Sequence, residues 1–172
     1  MTTRPASEVW QRGPVPGYPS LLMPVVHALL QVREDLDRLV ADVPAEHVWV
    51  RPGGAASIGF HLRHTGGALD RLFTYARGEA LSTEQRQALA AEEPREGSMP
   101  SLRAIAAEVN ATIDRALAQV GNTLPETLTD ERRVGRAGLP STVLGLLFHA
   151  AEHSTRHIGQ AITTARILTG TR

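Results

Sequence analysis

From residue 141 to residue 169, apolar and small side chains return at steps of three and four without a break: Val143, Leu147, Ala150, Ser154, His157, Ala161, Ala165 and Leu168. That spacing matches one face of an α-helix, and Gly170 stands where such a helix would stop. A helix of this length cannot leave so wide a stripe in water, so the rest of the chain must supply faces to cover it. Three other stretches do. Residues 21–42 align Leu22, Val25, Val26, Leu29, Val32, Leu36 and Leu39, with Pro24 tolerable in a first turn. Residues 57–76 align Ile58, Leu62, Thr65, Leu69, Leu72 and Phe73, and residues 101–120 align Leu102, Ile105, Val109, Ile113, Ala116 and Leu117.

The breakers fall between these stretches. Pro44, Pro52, Gly53 and Gly54 mark residues 43–56 as a loop, from which Trp49 folds back as an apolar plug. Ser82 followed by Gln85 forms a capping-box pattern that opens a short helix over residues 82–92, inserted between the second and third long helices. Residues 123–139 are polar and hold Pro125 and Gly135, which suits a loop or a poor hairpin. Nothing else argues for a sheet, so the fold class is all-α, a four-helix bundle with a short inserted helix. Residues 1–20, rich in Pro and Gly, read as an extended arm, and residues 21–172 as a single domain of a size that buries its own core.

Absent residue types narrow the chemistry. The sequence has no Cys and no Lys. Thiolate nucleophiles, disulfides, thiolate metal ligands, Schiff bases and Walker-type phosphate loops are all excluded. Eighteen basic side chains balance eighteen acidic ones, so no overall field draws the chain to nucleic acid or to an anionic membrane, and a small molecule is the expected partner. With no uninterrupted apolar run of about 18 residues and no apolar signal-peptide core near the N-terminus, the expected location is cytoplasmic.

The histidines carry the remaining signal. His149, His153 and His157 form a ladder at steps of four in FHAAEHSTRHIGQ, and His61 and His64 lie in SIGFHLRHTGG. Imidazoles four apart stand one above the other on a helix and can share an ion. The outer rungs of the ladder are about 12 Å apart along the axis at 1.5 Å per residue, so only one neighbouring pair can serve one metal. His157 lies nearest the middle of the apolar stripe, which favours His153 with His157. A third ligand would come from His61 or His64 across the bundle, and periodicity slightly favours His61. The zinc-protease motif needs a Glu directly after its first His, where this chain has Ser154, and Glu152 is expected on a different face. The paired Glu-x-x-His pattern of di-iron bundles is also missing, so one ion is expected. His27 and His47 lack partners in the sequence and read as ordinary packing residues.

The segments SIGFHLRHTGGALDRL and HAAEHSTRHIGQ resemble the DinB-like or YfiT-like superfamily, over residues 21–168 and most closely in the two histidine stretches. The resemblance implies an up-down-down-up helical bundle holding one zinc or nickel ion on three histidines. In that pattern the first ligand follows the small residue opening its helix by about seven positions, which from Ser57 gives His64. The other two precede a Gly-Gln, which gives His153 and His157 before Gly159 and Gln160. Ile158 stands where relatives often carry Arg. The resemblance also implies thiol-dependent transfer with bacillithiol, mycothiol or glutathione, and pairing as a homodimer. His61, His149 and Gln160 are candidates to orient a ligand ring or a bound water. The expected function is therefore transfer of a low-molecular-weight thiol to a small electrophile. The alternatives are metal-assisted hydrolysis of an ester or amide on the same ligands, and a non-catalytic metal-binding stress-response module. No general base stands out.

Overall fold

The computed structural model describes residues 7–94 and 97–170. Four long helices make the bundle: α1 (Met23–Asp42), α2 (Ile58–Ala76), α4 (Leu102–Asn122) and α5 (Val143–Thr169), with the short α3 (Thr83–Ala90) inserted before α4. The helices contact one another in the ring α1, α5, α2, α4 and back to α1, with α2 against α5 the most extensive pair. The four stripes meet at the centre, where Leu29, Leu36, Leu62, Leu69, Ile113 and Leu147 are fully buried.

Helix starts follow local chemistry. Ser57 accepts from the amide of Phe60, Ser101 from that of Ala104 and Thr142 from that of Gly145, each side chain satisfying one of the amides that a helix start leaves free. Ser82 and Gln85 close the capping box of α3, which ends at Ala90 rather than reaching 92. Gly170 ends α5 in the left-handed conformation, with φ 66°.

Two stretches take more structure than their sequences suggested. Glu131–Val134 (β1) and Leu139–Thr142 (β2) pair antiparallel as a hairpin, with Val134 opposite Leu139 and Glu131 opposite Thr142. The hairpin takes the first two residues assigned above to the last helix, so α5 starts at Val143. The first six residues of the expected arm lie outside the described residues. From Val9 the chain makes a 3-10 turn to Arg12 that lies on its own α1: Val9 is buried, its amide donates to Gln31 and Arg12 pairs with Glu34.

Trp49 folds back against the core, and its indole N–H donates to the carbonyl of Pro100 at 3.1 Å. Gly59, in the first turn of α2, is what lets the ring in: a Cβ there would lie 2.7 Å from the nearest ring carbon. The plug thus ties the 43–56 connection to the starts of α2 and α4. No described helix is long and apolar enough to cross a membrane.

Candidate metal centre

Because α2 and α5 share the longest contact, whatever faces across it is held on two rigid supports. Leu62, Leu69, Leu147 and Ile158 lock the two helices, and the histidines occupy the same seam nearer to solvent. His64, His153 and His157 each bring one ring nitrogen to within 4.8 Å of the other two. The Nε2 atoms of His64 and His153 stand 2.9 Å apart, and the ring of His157 is centred 4.5 Å from each of theirs. Around a tetrahedral ion with bonds of about 2.0–2.1 Å, ligand nitrogens lie about 3.3 Å from one another, so this set closes on an ion with small side-chain movements. All three residues are partly exposed, which leaves an approach from solvent.

The electrostatics suit the same purpose, since a ligand imidazole must be neutral. Burial pushes His157 down from the ordinary 6.5 to about 4, and the neighbouring His64, His153, His61 and Arg156 act in the same direction. His153 is lowered first by burial, then by His64 and Arg156, with Glu152 opposing. Burial and His64 lower His61 as well. His153 and His157 are thereby biased toward the uncharged form that a metal ligand needs.

The other sequence candidates divide. His61, the more buried histidine of α2, does not join the three-nitrogen set; its Nδ1 sits 3.1 Å from Nδ1 of His157. His149 is exposed, its Nδ1 2.7 Å from Glu152. Gln160 is exposed and makes no described hydrogen bond to the cluster. Glu152 departs from the expectation that it faces elsewhere: its long side chain reaches back one turn to His149, and His149, Glu152 and His153 form a second grouping of possible donors. Both oxygens of Glu152 are also held by Arg156, at 2.7 and 2.6 Å.

One residue was not singled out from the sequence. Glu92, just past α3, is buried at 6% exposure and accepts from Nδ1 of His64 at 2.7 Å, while its other oxygen pairs with Arg71 at 2.8 Å. Burial alone would raise this carboxyl. The His64 hydrogen bond and Arg71 outweigh it and hold the group below its ordinary value. Phe60 stacks on the face of the His64 ring, 5.6 Å between centroids and 11° between planes.

A family model, the DinB superfamily, matches residues 28–161. The chain belongs to the DinB superfamily. Solved structures agree on the fold. A conserved protein from Enterococcus faecalis is 18% identical with a TM-score of 0.69, the match covering 87% of this chain and 98% of that one. A DinB-like protein from Bacillus cereus is 18% identical with a TM-score of 0.57, over 82% and 91% of the two chains. A Streptococcus pneumoniae protein is 14% identical with a TM-score of 0.61, over 89% and 92%. No curated protein matches the chain. In this DinB bundle the histidine cluster can hold a metal ion.

Proposed function

We propose that this DinB protein transfers a low-molecular-weight thiol to a small electrophile, with His64, His153 and His157 holding one zinc or nickel ion. The observation that carries the reading is the convergence of three imidazoles, from two helices, at a place open to solvent. A three-histidine set leaves a position free for a ligand, unlike a closed structural site. A divalent ion held there supplies the Lewis acidity that makes a thiol acidic at neutral pH. The chain's own part is to fix the donors. Glu92, itself paired with Arg71, holds the edge of the His64 ring at Nδ1 and Phe60 stacks on its face, while His61 meets His157. With no Cys in the chain, the sulfur must arrive on the cofactor. Such thiols are kept reduced in the cytoplasm, where we place the protein.

Turnover of an electrophile by the zinc- or nickel-loaded protein tests this, with glutathione, bacillithiol or mycothiol present and then omitted. Thiol-dependent consumption is the expected result. Ester or amide cleavage without thiol would establish the hydrolase instead, and no turnover under either condition would leave a binding module.

We further propose a homodimer. Leu144 and Phe148, one turn apart on α5 and 39% and 58% exposed, offer apolar surface that a closed twofold pairing would cover. Sedimentation at micromolar concentration should give a dimer, and a single species at the 18.6 kDa chain mass would reject it.

A further inference from the structure

The insert between α2 and α4 contributes almost nothing to the core. Among its described residues, from 77 to 100, every side chain is exposed or partly exposed except one, and that one is a carboxylate, Glu92. Burying a carboxylate is unfavourable unless charge and hydrogen bonds replace its water. Here they come from α2: His64 donates from Nδ1 to one oxygen, and Arg71, two turns further on, pairs with the other. The insert is fastened separately, by Gln85 donating to Asp70 and Thr74, so holding α3 in place does not require Glu92.

We propose that Glu92 is the positioning residue of the histidine site, fixing His64 so that its Nε2 is the free donor turned toward His153 and His157. The inference rests on the reading of His64 as a metal ligand. An ionised carboxylate can only accept, so Nδ1 of His64 carries the proton, and in the neutral ring that a metal requires Nε2 carries the lone pair. Nε2 is the atom that faces His153, at 2.9 Å. A carboxylate behind a ligand histidine sets ring orientation and tautomer and makes the ligand nitrogen more basic, and losing it typically weakens metal binding 10- to 100-fold.

An independent feature agrees. Gly67 lies on α2 between His64 and Arg71, and a Cβ there would fall 2.7 Å from Arg71 Nη1 and equally 2.7 Å from Glu92 Oε1. Its φ is not in the left-handed region, so nothing in the backbone demands glycine, and Ala would be the better helix former. What glycine supplies at 67 is the space in which the Glu92–Arg71 pair reaches His64. The atoms in the way are the ends of flexible side chains, so Gly67→Ala should keep the fold and dislodge Glu92. That gives a variant which disturbs the arrangement without touching a titratable group.

The test measures Zn(II) affinity by competition with a chromophoric chelator, together with the Co(II) absorption spectrum as a report on geometry. Long-range proton–nitrogen correlation in the metal-free protein reports the His64 tautomer. We expect Glu92→Ala and Gly67→Ala each to weaken Zn(II) by 10- to 100-fold and alter the Co(II) spectrum. The double variant should be no weaker than Glu92→Ala, and Glu92→Gln, which keeps an acceptor, should recover part of the loss. In the wild type the His64 proton should sit on Nδ1 and in Glu92→Ala it should distribute over both nitrogens. Zn(II) affinity within twofold of wild type in Glu92→Ala, or fully additive losses in the double variant, would overturn the proposal. If the wild type itself binds no divalent metal, the metal reading fails, and the tautomer alone decides whether Glu92 positions His64: an unchanged tautomer in Glu92→Ala would refute that too.

Discussion

His153→Ala is expected to leave the protein without bound zinc or nickel, while His149→Ala keeps close to one ion per chain, as read by elemental analysis after dialysis. His153 is central because its Nε2 lies 2.9 Å from that of His64 and its ring 4.5 Å from that of His157. Removing it leaves two donors, fewer than the three protein ligands that zinc-type sites use. His149 is one turn too far along α5 to join His157, and its Nδ1 is already directed at Glu152. The two substitutions also separate the two possible donor sets, since both contain His153 but only the outer one contains His149 and Glu152. Metal lost from His149→Ala as completely as from His153→Ala would place the ion on the outer set. Undiminished metal in His153→Ala would remove the ion from this seam altogether.

How far the sequence could lead is clearest at these same residues. The ladder at steps of four is a helical property, and it told which imidazoles share a face of α5 before any packing was known. The choice between His61 and His64 was different. Periodicity favours His61 because it measures burial, and His61 is indeed the more buried, at 8% exposure. Convergence of nitrogens is a matter of side-chain direction across the seam, and it falls on His64. Family position pointed there where periodicity could not. Glu92 was out of reach: it sits 28 residues from His64, in a polar stretch beside a second Glu, and nothing local distinguishes a carboxylate that will be buried from one that will not. Its one trace in the sequence is the capping box that starts α3, the short helix it follows. The hairpin was half legible for a similar reason. Arg132, Arg133 and Pro140 break the alternation that marks a strand, and the pairing is made by backbone bonds rather than by an apolar face.

Lowering the pH from 7 to 4.5 should destabilise the metal-free protein before most of its carboxylates titrate. His157 has its pKa pushed from 6.5 to about 4 in the folded state, and His61 and His153 are shifted the same way, in each case chiefly by burial. Across that interval the unfolded chain takes up protons that the folded chain refuses. The stabilising contribution is therefore complete above pH 6.5 and is lost as pH falls toward 4. Glu92 acts in a separate window. Burial works to raise its carboxyl, but His64 and Arg71 prevail and lower it, so its contribution fades only below the ordinary carboxylate range. Discounting the histidine shifts for solvent screening leaves about 1–2 kcal/mol, or roughly 2–8 °C in the unfolding midpoint of a chain this size. Thermal melts of chelator-treated protein at pH 7, 6, 5 and 4.5 measure it. Protein supplied with stoichiometric zinc should show the steeper loss, because protons then also compete with the ion for the same nitrogens. His157→Gln removes the most strongly shifted group and should flatten the metal-free curve. A midpoint that stays level from pH 7 to 4.5 would mean that the histidines titrate freely, and that the seam between α2 and α5 is wetter than its packing implies.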